Sequence, residues 1–323
     1  MKILLVQDLT RPHHGLGDEH LEKIKAVDPS LEVLAFSSTQ LDEINRRIED
    51  VDILAGTLWA IPEIHDVKKL KLIHSFSAGV EHVLTPEVKN SDVIVGNCSG
   101  IHATPIAEHV LGFLLIFTRR FYDTFQSQQK KRWEKNPKIT ELRGKTVLIV
   151  GLGNIGKEVA RVVNGVGARV LAVDRGGEEK PEFVETLYAQ DQLKEALPQA
   201  DFVVLCLPLT GETRHLFDME KFRIMKNDAV LVNIARGGLV KEQDLIQALS
   251  QKVIGGAALD VTEEEPLSQE SPLWEMENVV ITPHHSGSSE KYMDRAVDVF
   301  CENLKAYLKG ETLPNQVDKE RGY

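Results

Sequence analysis

Residues 145–156 read KTVLIVGLGNIG, a short apolar run that passes directly into Gly151-x-Gly153-x-x-Gly156. Thr146, Val147, Ile149 and Val150 are β-branched, and a run that is apolar on both faces predicts a strand buried in a parallel sheet. Each glycine would have its own task in the turn that follows. Gly151 permits the tight exit from the strand. Gly153 lets the backbone approach a pyrophosphate, where a Cβ would intrude. Gly156 lets the next helix pack closely on the sheet. The start of that helix would offer N–H donors and the positive end of a dipole to phosphate.

The flanking sequence agrees with this reading. Residues 157–164, KEVARVVN, suit a helix, and residues 168–173, ARVLAV, a second strand with Asp174 at its end. An acid about twenty positions beyond the glycines is placed to accept hydrogen bonds from the adenosine ribose and to repel the 2′-phosphate of NADP. Arg175, the next residue, could instead accept that phosphate. Further strand-like runs lie at 202–207, 229–234, 256–259 and 279–281, making six, the number in a dinucleotide-binding sheet. Upstream, strand-like runs at 3–6, 32–36, 52–55, 72–76 and 93–95 alternate with helical periodicity at 16–27 and 41–48, and an amphipathic helix closes the chain at 290–308. Such alternation predicts parallel sheets with helices on both faces, so the fold class is α/β with two such domains.

At 323 residues the chain has the length of two domains, and 42% apolar with 27% charged residues is ordinary for a globular protein. A net charge of −11 argues against a nucleic-acid-binding surface, and an anionic ligand would need a local basic site. Cys98, Cys206 and Cys301 are far apart and form neither a disulfide framework nor a zinc signature. They point to a reducing compartment, so a cytoplasmic location and no metal are expected. The opening MKILLVQD is too short an apolar run for a signal peptide and reads as a first strand; no run is expected to span a membrane. Residues 104–121, TPIAEHVLGFLLIFTRRF, form a helix that is apolar on most sides, with Thr104 as a cap and Pro105 in the first turn. A helix of that kind is expected to be buried between domains or subunits. The polar stretch 125–138, with Trp133 inside it, suits either a solvated helix and loop or an arm that clasps a second subunit.

Three charged groups stand just beyond successive strand-like runs of the second half, and parallel α/β sheets bind ligands outside the carboxyl ends of their strands. Arg236 follows a buried run in VNIARGG, with two glycines leaving room beside it; guanidinium suits a planar carboxylate held bidentately. Glu265 is the last of three adjacent acids before Pro266, a pattern that is usually a solvated loop. His284 and His285 stand together in TPHHSG, and either has a side chain suited to proton transfer near neutrality.

GLGNIG with Asp174, NIARGG, EEEP and TPHHSG, in this order, resemble the motif set of the D-isomer-specific 2-hydroxyacid dehydrogenases, a family that includes glyoxylate/hydroxypyruvate reductases, phosphoglycerate dehydrogenases and D-lactate dehydrogenases. The resemblance extends to Ser77-Ala78-Gly79-Val80 and to the helix start at 105–111, and so covers nearly the whole chain. It implies a catalytic trio of Arg236, Glu265 and His284, the histidine chosen over His285 because it follows the proline. It implies that NAD is held by Gly151, Gly153, Asn154, Ile155, Gly156, Asp174, Leu207, Pro208, Thr213, Ile234, Ala235, Arg236, Asp260, His284 and Gly287. The substrate carboxylate would meet Arg236 and the backbone N–H groups of Ala78 and Gly79.

The resemblance further implies a Rossmann cofactor domain at 101–284, inserted in a flavodoxin-like substrate domain formed by 1–100 and 285–323, and a homodimer joined through the cofactor domain. The substrate would be a small 2-oxo or 2-hydroxy acid. Trp59, with Leu58 and Ser77, hints at one as small as glyoxylate or hydroxypyruvate. With the chain ending at Tyr323, the C-terminal regulatory extension of many phosphoglycerate dehydrogenases is expected to be lacking. Glu265 stands where the formate dehydrogenases of the superfamily carry Gln, which argues against formate. The alternative within the superfamily is an NAD(H)-sensing scaffold or corepressor.

Overall fold

The computed structural model describes residues 1–10, 13–60, 69–135, 138–176 and 179–322. The chain divides into two compact units, Met1–His102 with Ser288–Tyr323 and Ala103–Gly287.

The first unit begins with β1 (Lys2–Gln7), α1 (Asp18–Lys25), β2 (Glu32–Ser37), α2 (Leu41–Ile48), β3 (Ile53–Gly56), β4 (Leu72–Ser75), α3 (Pro86–Lys89) and β5 (Ile94–Gly96). The strands form one parallel sheet in the order β2-β1-β3-β4-β5, the flavodoxin-like order. Successive side chains of a strand face opposite ways. Ile3, Leu5, Ile53 and Leu72 therefore join one buried cluster, while Leu4, Val6, Leu54 and Ile73 join another.

The second unit opens with α4 (Ala103–Arg119) and α5 (Phe121–Gln129) and continues through β6 (Thr146–Val150), α6 (Asn154–Gly165), β7 (Arg169–Asp174), β8 (Thr186–Ala189), α7 (Leu193–Ala196), β9 (Phe202–Leu205), α8 (Met219–Ile224), β10 (Val230–Asn233), α9 (Glu242–Ser250), β11 (Gly256–Leu259) and β12 (Val279–Ile281). Its parallel sheet runs β12-β11-β10-β9-β6-β7-β8. The order reverses between β6 and β9, which is where open α/β sheets bind ligands. Among the described residues, seven strands replace the six expected. The addition, β8, is a half-exposed edge strand, Thr186-Leu187-Tyr188-Ala189, too short and too mixed in polarity to stand out in the sequence.

The inward stripe of α4, carrying Ile106, Ala107, Val110, Phe113 and Leu114, packs into the core of the second unit itself, together with Val147 and Ile149 of β6 and Val159 and Val163 of α6. The helix expected to be buried between domains or subunits thus seats this stripe within the second unit. Part of the polar stretch at 125–138 continues α5, and residues 136–137 lie outside the described residues.

The chain then returns to the first unit as α10 (Tyr292–Leu308). Tyr292, Met293, Ala296, Val297, Phe300 and Leu304 recur at helical spacing and complete the core around Ile3, Leu5 and Phe76. Each fully buried large apolar side chain of this kind contributes about 1.5–3 kcal/mol relative to an exposed one.

The unit boundaries differ from the expected ones by two or three residues. Ile101 and His102 belong to the first unit, where Ile101 is buried against the α10 cluster. Residues 285–287 belong to the second, because the amides of His285 and Ser286 bind the carboxylate of Asp260 at 3.0 Å.

Candidate active site in the second unit

Register partners across the sheet bring the candidate residues to one edge. Val173, Val150 and Leu205 are aligned through β7, β6 and β9. Leu205, Asn233, Leu259 and Ile281 continue the line through β10, β11 and β12. The Gly151 turn, Leu207, Arg236, Asp260, Glu265 and His284 all follow these aligned strand ends.

The glycine-rich turn has the properties of a phosphate cradle. Gly151 adopts φ +98°, and a Cβ there would lie 2.8 Å from Cys206 O. A Cβ on Gly156 would come within 2.0 Å of Gly151 O. At Gly153 a Cβ would meet nothing within 4 Å. The fold itself therefore does not require Gly153, and the space in front of it is open to a ligand. Asn154 and Ile155 open α6, and no side chain caps that helix start. Asp174 accepts from Leu152 N and Gly176 N, each at 3.1 Å, and so ties the end of β7 to this turn. In the loop after β9, the Thr213 hydroxyl donates to Pro208 O at 2.7 Å and fixes the bend that follows Leu207.

Beyond β10, the buried Asn233 accepts from Ala235 N at 3.1 Å and donates to Arg236 O at 3.0 Å. This closes the bend over Ile234 and Ala235 and aims Arg236, whose Nη1 donates to Ala235 O at 2.7 Å. Gly237 is required here, since a Cβ would lie 1.8 Å from Thr262 O.

Glu265 and His284 meet directly: His284 Nδ1 is 2.6 Å from Glu265 Oε2, and Glu265 Oε1 accepts from Thr262 N at 3.3 Å. His284 takes a left-handed backbone, φ +49°, and its amide donates to Asp260 O at 2.8 Å. Asp260, 2% exposed, anchors the same loop by accepting from the Thr282 hydroxyl and the amides of His285 and Ser286. Burial pushes its carboxyl up, but the bonds from Ser286, Thr282 and His285 outweigh that and hold it below the usual range.

His109 of α4 stands 3.1 Å from the Thr282 hydroxyl, and its ring centroid lies 5.4 Å from that of His285; burial pushes its imidazole down. His109, Asp260 and His285 offer ligand atoms within 4.8 Å of one another. The oxygens of Asp260 already accept from three donors, so the group reads as a hydrogen-bonded junction that fixes the His284 loop. The adjacent histidines of TPHHSG are thus divided: His284 faces Glu265, and His285 faces His109. Gly287, half-buried, ends the unit. In the first unit, Ala78 O accepts from Asn97 Nδ2 at 2.9 Å and Gly79 O from Ser77 Oγ at 2.6 Å, which holds the bend carrying both amides.

A family model described as D-isomer specific 2-hydroxyacid dehydrogenase, NAD binding domain, matches residues 111–286. The chain belongs to the D-isomer-specific 2-hydroxyacid dehydrogenases. It is 36% identical to a glyoxylate reductase of Thermofilum pendens over 290 residues, covering 86% of this chain and 85% of that one. It is 33% identical to a D-3-phosphoglycerate dehydrogenase of Methanocaldococcus jannaschii over 305 residues, covering 93% of this chain but spanning only 58% of that protein. Among solved structures, an NADPH-dependent glyoxylate/hydroxypyruvate reductase of Sinorhizobium meliloti in complex with NADP and sulfate superimposes with a TM-score of 0.81, at 30% identity and with all of both chains covered.

Sequence reasoning passed over Asn233, Thr282, His109 and the partners of Glu263. Asn233 at the end of a strand, directly before the Arg236 bend, was the available signal for the first of these.

Proposed function

We propose that the protein is an NAD(H)-dependent oxidoreductase that interconverts small 2-oxo acids and D-2-hydroxy acids. The observation that carries this reading is the 2.6 Å contact of His284 with Glu265, on the strand-end edge that also presents Arg236. With Nδ1 engaged, Nε2 is the nitrogen available to exchange a proton with a substrate oxygen. In reduction, Arg236 takes the substrate carboxylate and, with protonated His284, polarises the C2 carbonyl. His284 Nε2 gives its proton to that oxygen as it becomes a hydroxyl; in oxidation the neutral ring takes the proton back. Glu265 keeps the ring oriented in both directions. The amides of Ala78 and Gly79 are assigned to the carboxylate as well. When bound, the nicotinamide supplies the hydride chemistry. Its pyrophosphate is assigned to the Gly151–Gly156 turn and its adenosine ribose to Asp174.

Glyoxylate and hydroxypyruvate are the proposed substrates, supported by the bulk of Trp59 and by the glyoxylate reductase relatives. Asp174 favours NADH. A second reading, NADPH, is favoured by Arg175 beside it and by the NADP-bound relative. A homodimer is proposed from the exposed aromatics Phe121, Phe125 and Trp133, and a cytoplasmic location from three unpaired cysteines. Among the described residues, no helix is long and apolar enough to cross a membrane.

The test is NADH oxidation across glyoxylate, hydroxypyruvate, pyruvate and larger 2-oxo acids. Turnover that collapses in Arg236→Ala supports the enzyme. NADH binding without turnover on any of them would favour the nucleotide-sensing alternative.

A further inference from the structure

Glu263 stands two residues before Glu265, in a run of three acids that reads as solvated loop. The structure gives it fixed partners. Its Oε1 is 2.6 Å from His215 Nε2, and its Oε2 accepts from Glu242 N at 3.2 Å. Glu242 returns the contact, its carboxylate accepting from Glu263 N at 3.0 Å. Burial pushes the Glu263 carboxyl up, but the bonds from His215 and Glu242 more than offset this and hold it below the usual range.

His215 lies on the loop after β9, in a left-handed backbone with φ +53°, and its amide donates to Gly238 O at 2.8 Å. Glu242 is the first residue of α9. The Glu263 carboxylate thus joins the loops that follow β9, β10 and β11. On its other side, Thr262 is pressed against Gly237, and its hydroxyl donates to Glu264 O at 2.7 Å. Glu265 hangs from this short segment.

We propose that His215 and Glu263 form a second histidine–carboxylate pair whose task is to position Glu265 against His284; this rests on the role given above to Glu265. Both are positioning residues. Exposed pairs of this kind contribute little to stability, whereas small misplacements in a reacting constellation are costly. The effect therefore falls on turnover rather than on folding.

The experiment is a double-mutant cycle on kcat, with the KM for NADH and the thermal midpoint measured alongside. Glu263→Ala and His215→Ala are each expected to lower kcat about tenfold or more, leaving the KM for NADH within about twofold of wild type. His215→Gln, which keeps a side-chain N–H for Glu263, should recover most of the loss, and Glu264→Ala should leave kcat unchanged. In a Glu265→Gln background, Glu263→Ala should cost less than about twofold, because its effect is transmitted through that carboxylate.

An equal cost in both backgrounds would mean a general structural role and overturn the proposal. Full activity in Glu263→Ala and His215→Ala, with Glu265→Gln impaired, overturns it and leaves the role of Glu265 standing. Full activity in Glu265→Gln overturns both. Should Glu263→Ala fail to fold, His215→Ala against His215→Gln decides the matter.

Discussion

Nδ1 of His284 and Oε2 of Glu265 lie 2.6 Å apart, although 19 residues separate them in the chain. The contact assigns one ring nitrogen to the protein and leaves the other for chemistry. It also divides the labour between adjacent histidines, since His285 is turned toward His109.

His284→Ala should therefore lower kcat by about 10²- to 10⁴-fold while NADH still binds, the range expected when a general acid is lost. His285→Ala keeps the backbone amide that binds Asp260 and should cost far less. Steady-state kinetics on one 2-oxo acid, with NADH binding followed by fluorescence, compares the two; the reverse ranking would move the acid–base role to His285.

Asp174→Ala should narrow the preference for NADH over NADPH. Each factor of ten in that preference corresponds to about 1.4 kcal/mol. The carboxylate also holds Leu152 N and Gly176 N, so affinity for both cofactors should weaken. The ratio of kcat/KM values for the two cofactors is the measurement. A wild-type ratio in favour of NADPH would show that Arg175 governs the site.

The glycines of the cofactor turn should separate by mechanism. Gly156→Ala places a Cβ 2.0 Å from Gly151 O and should destabilise the protein, overpacking of this kind costing about 1–3 kcal/mol. Gly153→Ala meets nothing within 4 Å and should leave the thermal midpoint unchanged while raising the KM for NADH. Parallel melts and KM values on the two variants check this; a Gly153→Ala protein with normal KM would remove that glycine from the cofactor site.

His74 predicts an acid-sensitive first unit. It is fully buried on β4 beside Phe76 and Phe300, and burial lowers its pKa from 6.5 to about 3. Between those values the unfolded chain carries a proton that the folded one refuses. Stability from this group is therefore complete above pH 6.5 and falls with pH below it, by up to about 1.4 kcal/mol per unit. Urea midpoints of His74→Leu at pH 7, 5 and 4 should fall less steeply than those of the wild type. Equal slopes would exclude His74 as the cause.

Most of the architecture could be read from local patterns. The β-branched run ending in Gly151, the alternation of strands with helices, and Asp174 at a strand end each carry their meaning within a few residues. What escaped was pairing at a distance. Glu263 looks like its neighbour Glu264 until His215, 48 residues away, is set beside it. Asp260 directly follows an ordinary strand, and only the fold shows the hydroxyl and two amides converging on it. β8 was lost for a different reason: an edge strand packs on one side only and lacks the continuous apolar run that marks its neighbours.

The chain path also has a consequence for synthesis. The residues of the second unit are all in hand once residue 287 has been made. The first unit, although begun earlier, must wait for α10, without which Ile3, Leu5 and Phe76 lack their cover. At about 5–20 residues per second, the opening hundred residues spend at least ten seconds or so as an unfinished core while the inserted unit is made. Of the two units, the one begun earlier is thus the one completed later.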